Sequence, residues 1–144
     1  MFTLSNIKSV TTKQILLAYG VALLAILALD AVWLGLLMTA TYQFYLGELM
    51  LAQPRLIPAA LFYLLYAFGL TVFGIVPALR VHSWQQAACL CALLGLVAYG
   101  TYDLSNLATL KAWSPTLAAI DICWGALLSC IAGTLAYFGA SRSV

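Results

Sequence analysis

The chain has 144 residues, of which 65% are hydrophobic and only 7% are charged. Soluble domains carry about 25% charged residues, so six basic and four acidic side chains are too few to cover a water-exposed surface. The composition excludes a soluble globular domain, a disordered chain and a disulfide scaffold, and it indicates an integral membrane protein.

Four apolar runs are each long enough for a transmembrane helix, which needs about 20 apolar residues. They cover residues 15–40, 56–78, 87–110 and 116–138, and residues 1–13 form a polar N-terminal tail. The runs are too long for strands and do not alternate in polarity. The sequence therefore predicts a single all-α membrane domain built as an up-down bundle of four transmembrane helices.

Local signals mark the ends of these helices. Thr11 with Gln14 and Ser83 with Gln86 have the spacing of capping boxes, in which two side chains satisfy free backbone N–H groups. Pro77 is expected to end the second helix, because proline lacks an N–H and clashes with the preceding turn. The segment 42–51, in the longest connection, is amphipathic enough to lie in the membrane interface.

The basic residues predict an orientation. An arrangement with both termini in the cytoplasm places four basic residues inside and two outside, as the positive-inside rule prefers. The inner four are Lys8, Lys13, Arg80 and Arg142, and the outer two are Arg55 and Lys111. The expected location is the inner membrane of a bacterium, as a multi-pass protein.

Three of the four acidic residues lie inside the apolar runs, where a carboxylate is costly. Asp30, Asp103 and Asp121 are predicted to lie about 4, 7 and 9 Å outside the membrane midplane. Near the helix centre each costs roughly 2.5–3.5 kcal/mol on insertion scales. No basic residue lies at their depth, so we expect at least one Asp to be protonated, hydrated or bound to a cation or a ligand donor.

Polar and aromatic neighbours accompany these acids at helical spacing, which predicts one polar pocket in the outer half of the bundle. Tyrosine, tryptophan and asparagine supply the donors that a buried carboxylate needs. The candidate ligand- or proton-binding residues are Asp30, Trp33, Tyr63, Tyr66, Tyr99, Tyr102, Asp103, Asn106, Asp121 and Trp124. Asp30 and Asp103 are expected to be central, with Asp121 at the entrance.

Other chemistries find little support. His82 is the only histidine, so haem ligation by paired histidines within one chain is excluded. It lies in a predicted loop beside Arg80, where a histidine is more often a surface residue than a catalytic base, and a Ser-His-Asp triad has no support. The two thiols of Cys89 and Cys91 point about 200° apart on one helix, and we expect neither a metal site nor a disulfide. No phosphate loop or dinucleotide motif is present, so no cofactor is expected. Six scattered basic residues do not indicate nucleic-acid binding.

Four motifs occur in a fixed order along the chain. They are Asp30-Ala-Val-Trp-Leu-Gly35, Phe62-Tyr-Leu-Leu-Tyr66, Tyr99-Gly-Thr-Tyr-Asp-Leu-Ser-Asn-Leu-Ala-Thr109 and Asp121-Ile-Cys-Trp-Gly125. This pattern resembles an uncharacterised bacterial family of small four-span membrane proteins, domain of unknown function 2177, over residues 19–137. The resemblance implies a bacterial inner-membrane protein and names no reaction.

Three functions fit the sequence. The first is a site that binds or translocates a proton, a metal or organic cation, or a polar lipid head group. Four spans are few for a transporter, so a homodimer is expected, with membrane lipids as further partners. The second is a membrane-embedded enzyme that acts on a lipid or isoprenoid, with one Asp as general acid and another as general base. The third is a small scaffold or assembly factor, in which polar contacts only fix helix register.

Overall fold

Four long helices make up most of the molecule in the computed structural model, which describes residues 9–143. The helices long and apolar enough to cross a membrane are Thr12–Leu37, Leu56–Arg80, Trp84–Thr109 and Pro115–Ser141. No strand occurs in the described part of the chain. The prediction of an all-α protein with four membrane-length helices is confirmed. Residues 1–8 of the predicted polar tail lie outside the described residues.

Two of the long helices contain a π-helical segment in addition to α-helix. The first consists of α1 (Thr12–Val32) and a π-helical segment, Trp33–Leu37, and a short helix α2 (Thr39–Leu46) follows it. The second consists of α3 (Leu56–Gly69), a π-helical segment (Leu70–Ile75) and α4 (Val76–Arg80). The third and fourth are α5 (Trp84–Thr109) and α6 (Pro115–Ser141). Segments of π-helix are rare and often mark functional sites.

The predicted capping boxes differ in outcome. The Gln14 N–H donates to Thr11 Oγ1 at 3.2 Å, and the Thr11 N–H donates to Gln14 Oε1 at 3.0 Å, so this box is confirmed. The Gln86 N–H donates to Ser83 Oγ at 3.2 Å, but the Ser83 N–H donates to the Ala78 carbonyl oxygen at 3.1 Å and not to the Gln86 side chain. The second N-cap is therefore correct, whereas the reciprocal half of its box is wrong.

Pro77 does not end the second helix. The helix continues to Arg80, and the π-helical segment Leu70–Ile75 ends two positions before the proline. The π-helical turn is wider than an α-helical turn, which relieves the contact between the proline ring and the preceding carbonyl groups. The changed hydrogen-bond pattern also does not require a donor at the position where proline has no N–H. The prediction of a helix end at Pro77 is wrong for this reason.

Small residues let α5 and α6 approach closely. A Cβ atom on Gly95 would lie 2.2 Å from the Gly125 carbonyl oxygen. Cys91 Sγ of α5 likewise occupies the space that a Cβ on Gly133 of α6, or on Gly74 of the second long helix, would need, at 2.3 Å in both cases. Close approach at small residues is the usual means of packing helices in membranes, and here it closes one end of the bundle.

The other end of the bundle is less closed. α6 packs against both α5 and α1, and α3 packs against α1. The contacts between the second long helix and α5 are concentrated in its later part, Leu70–Arg80. Because α3 itself is not closely packed against α5, space remains between these helices beside α1 and α6.

Candidate functional site

A cavity of about 560 Å³ lies at this more open end, between α1, α2, α3, α5 and α6. Eight of the residues singled out in the sequence line it: Asp30, Trp33, Tyr63, Tyr66, Tyr99, Tyr102, Asp121 and Trp124. These side chains come from four different helices. The fold therefore brings together residues that are up to 94 positions apart in the sequence, as in the contact between Asp30 and Trp124.

Asp30 is held by donors from two other helices. Trp124 Nε1 of α6 donates to Asp30 Oδ1 at 3.0 Å, and the Tyr63 hydroxyl of α3 donates to Oδ2 at 2.9 Å. The carboxyl group is 4% exposed. Both oxygens of this buried carboxyl group are satisfied by neutral donors, and the contacts tie α1 to α3 and α6.

Asp121 has a different donor, which comes from the connection after the first long helix. The Tyr42 hydroxyl of α2 donates to Asp121 Oδ1, and Trp33 Nε1 donates to the Tyr42 oxygen at 3.4 Å. Burial, and then the hydrogen bond to Asp121, raise the pKa of Tyr42 above its ordinary value. Tyr42 therefore keeps its proton and serves as a donor at neutral pH.

Tyr42 was not identified from the sequence, where segment 42–51 was assigned only to the membrane interface. The helix α2 ends at Gly47, whose φ of 48° is readily available to glycine. On this short helix Tyr42 turns toward α6. The only available signal is a tyrosine in an amphipathic segment, and its partner Asp121 lies 79 positions away in the sequence.

The two central tryptophans stack on each other. The rings of Trp33 and Trp124 lie 4.1 Å apart at an interplanar angle of 2°. Each follows an aspartate by three residues, and the two Asp-x-x-Trp segments pair crosswise. Trp124 donates directly to Asp30, whereas Trp33 reaches Asp121 through Tyr42. The stacked indoles thus connect the two carboxyl groups of the cavity.

Two further tyrosines form a wall against α6. The Tyr99 ring occupies the space that a Cβ on Gly125 would fill, with its Cγ 2.2 Å from that position. Tyr66 lies edge-on to Tyr99, and its hydroxyl is 2.6 Å from the Ser129 hydroxyl. The Ser129 hydroxyl also donates to the Gly125 carbonyl oxygen at 2.7 Å, four residues earlier on the same helix. Because a serine within a helix commonly makes such a bond, its position in the sequence does not indicate the additional contact with Tyr66.

Asp103 and Asn106 are the predicted site residues that do not line the cavity. Asp103 is fully buried, accepts a hydrogen bond from Trp113 Nε1 at 3.3 Å, and leaves its Oδ2 atom without a hydrogen-bond partner in the described structure. Trp113, in the turn before α6, lines the cavity and lies edge-on to Tyr102. The central pair of carboxyl groups is therefore Asp30 with Asp121, rather than Asp30 with Asp103.

The cavity contains acidic side chains but no basic ones among the described residues. No Lys, Arg or His among residues 9–143 lines it, and the donors to its two carboxyl groups are hydroxyl and indole groups. In the same described range, no group of three His, Cys, Asp or Glu side chains is placed to hold a metal ion. Acidic groups and aromatic faces together favour a cation over an anion.

The fold and the cavity define a polytopic α-helical membrane protein with buried acidic and aromatic groups. The chain belongs to the family described as "Predicted membrane protein (DUF2177)", whose model matches residues 15–138. No curated protein and no solved structure matches the chain.

Proposed function

We propose that the protein binds a positively charged group in the cavity. The observation that carries this proposal is that Asp30 and Asp121 both line a largely aromatic cavity to which no Lys, Arg or His among residues 9–143 contributes. A cation against an aromatic face gains about 0.5–1 kcal/mol when exposed and about 2 or more when desolvated. A carboxylate in the same cavity adds a Coulomb attraction that low-dielectric surroundings strengthen.

An organic ammonium group fits this cavity better than a metal ion. The cavity of about 560 Å³ is within the ordinary range for small-molecule sites. The carboxyl oxygens of Asp30 already accept hydrogen bonds from Tyr63 and Trp124, which compete with tight metal coordination. A weakly hydrated ammonium group can instead contact ring faces and interact with the carboxylates at longer range.

A thermal-shift titration tests the proposal. Tetramethylammonium chloride is added to the detergent-purified protein, with sodium chloride at equal ionic strength as the reference. We expect the organic cation to raise the Tm of the wild type by about 2 °C or more at saturation, because a ligand that binds only the folded state stabilises it. Asp30→Asn should abolish this shift while the protein still folds, since the amide oxygen can accept from Trp124 Nε1 and the amide NH2 can donate to the Tyr63 hydroxyl oxygen.

Glu48→Gln is the matched control, because it removes one negative charge from an exposed residue that does not line the cavity. It should retain the full shift. A wild type with the same Tm in both salts contradicts the proposal, and so does an Asp30→Asn variant that responds as strongly as the wild type.

A second candidate, a membrane-embedded enzyme acting on a lipid or isoprenoid, is favoured by the fact that Asp30 and Asp121 face the same cavity. One would act as general acid and the other as general base. A third, a small scaffold, is favoured by the hydrogen bonds that join α1, α3 and α6. A scaffold predicts that the Asp variants change Tm or oligomeric state, with no dependence of Tm on the organic cation.

For the location we propose the inner membrane of a bacterium, with both termini in the cytoplasm. The excess of basic residues on that side, four against two, supports this orientation. A homodimer and contacts with membrane lipids are part of the same proposal, because four helices provide little surface for a translocation path within one copy.

A further inference from the structure

A second concave region adjoins the cavity on the outer surface. This groove, of about 380 Å³, lies between the second long helix and α5. Three of its lining residues, Phe62, Tyr66 and Ala98, also line the cavity. The groove and the cavity are therefore neighbours that share a wall.

The groove and the cavity offer opposite chemistry. The groove is lined by Phe, Leu, Gly and Ala side chains together with the Tyr66 ring, and the Tyr66 hydroxyl already contacts Ser129. A ligand in the groove thus meets hydrocarbon and aromatic surface only. The cavity presents Asp30, Asp121 and several neutral donors.

The groove exists because α3 is not closely packed against α5. On the second long helix, Gly69 faces Leu94 of α5, and a Cβ atom there would make only an ordinary contact of 3.6 Å. On the neighbouring turns Leu65, Phe68 and Phe73 remain largely exposed. In a membrane this surface faces lipid chains, so a hydrocarbon tail can enter it sideways without crossing water.

We infer that the groove and the cavity form one site for a cationic amphiphile, with its ammonium head group beside Asp30 and Asp121 and its hydrocarbon chain in the groove. This inference rests on the proposed function and adds to it the class of ligand. The hydrocarbon chain matches the apolar lining of the groove. The positive head group matches the two acidic side chains of the cavity, which no basic residue among residues 9–143 accompanies there.

The test compares a head group alone with the same head group on chains of increasing length. Binding of tetramethylammonium and of octyl-, dodecyl- and hexadecyltrimethylammonium is followed by tryptophan fluorescence in micelles of dodecyl maltoside, with amphiphile content expressed as mole fraction in the micelle. Trp33 and Trp124 lie at the site and report on it. We expect the dodecyl compound to bind at least tenfold more tightly than the octyl compound, and dodecyl sulfate not to compete.

Two variants fill the groove without altering the cavity lining. Gly69→Leu should reduce the gain in affinity from the octyl to the dodecyl compound at least tenfold, and it should leave the affinity for tetramethylammonium unchanged. Gly20→Leu is its control, since a Cβ at Gly20 meets no atom within 4 Å. Should Gly69→Leu fail to fold, Leu65→Phe serves the same purpose, with the neighbouring Leu64→Phe, outside the groove lining, as its control.

The outcomes separate the two proposals. If tetramethylammonium binds in an Asp30-dependent way but chain length and groove variants have no effect, the inference fails and the proposed function stands. If no cation binds, both fail. If dodecyl sulfate competes as well as the cationic compound, the joint site does not select a positive head group and the inference fails, whereas the proposed function is still decided by tetramethylammonium alone.

Discussion

Two short segments of the protein share a pattern and differ in their surroundings. Asp30 and Trp33 lie one turn apart on the first long helix, and Asp121 and Trp124 lie one turn apart on the fourth. The two tryptophan rings stack on each other. Trp124 donates a hydrogen bond directly to Asp30, whereas Trp33 donates to Tyr42, which in turn donates to Asp121. In the spacing of aspartate and tryptophan the two segments are identical.

Their hydrogen bonds are not equivalent. Asp30 accepts from two donors that both lie on membrane-length helices, whereas Asp121 accepts from Tyr42 on the eight-residue helix α2. The bond from Trp33 to Tyr42 is long, at 3.4 Å. One carboxyl group is therefore fixed by the long helices of the bundle, whereas the other depends on a short connecting helix.

The largest effect should come from the glycines that accompany the two tryptophans. A Cβ at Gly125 would overlap the Tyr99 ring, whereas a Cβ at Gly35 meets nothing within 4 Å. We expect Gly125→Ala to cost about 3 kcal/mol, or roughly 10 °C in Tm, because neither the ring nor the helices can move without loss of packing. Gly35→Ala should leave Tm nearly unchanged. Equal Tm values for the two variants in a thermal melt would show that the α5–α6 contact is looser than described.

The tryptophans themselves should give the next largest difference. Trp124→Phe keeps an aromatic ring for stacking but removes the donor at 3.0 Å from Asp30, which leaves a buried acceptor unsatisfied. We expect a cost of about 2 kcal/mol. Trp33→Phe removes only the longer bond to Tyr42 and should cost about 0.5 kcal/mol. Unfolding in a denaturing detergent measures both, and a larger effect at Trp33 would reverse the proposed roles of the two segments.

The smallest effect should appear in the dependence of stability on pH. Because burial and Asp121 raise the pKa of Tyr42 in the folded state, its contribution to stability is complete below its ordinary pKa of about 10 and decreases as the pH rises further. Tyr42→Phe lacks this ionisation. The Tm advantage of the wild type over Tyr42→Phe should therefore narrow above a pH of about 10. An advantage that is constant from a pH of about 8 to about 11 would mean that Tyr42 is not buried against Asp121.

Local patterns in the sequence predicted some parts of the site well. The pairs Asp30 with Trp33 and Asp121 with Trp124 were evident because residues three apart share a helix face. Tyr42 and Trp113 were not assigned to the site, although both line the cavity and donate to carboxyl groups. They lie in the connections between long helices, where no periodicity indicates the direction of a side chain.

Asp103 shows the same limit from the opposite side. Its spacing from Tyr99 predicted a shared face, and its depth predicted a central role. The turn that carries Trp113 lies over it, and Asp103 is buried outside the cavity lining. Helical spacing gives the direction in which a side chain points from the axis of its helix. It does not indicate which neighbouring segment packs against that side of the helix.

A helical membrane protein follows from the amino-acid sequence, because ten charged residues cannot keep such an apolar chain in water and each apolar run is long enough to span a bilayer. The sequence also indicates which acids need partners, since buried carboxyl groups require donors. The identity of these donors, the cavity that Asp30 and Asp121 share, and the groove beside it became visible only in the packed bundle. These features depend on how far α3 stands from α5 and on where short connections fold back, and both are set by packing between distant residues.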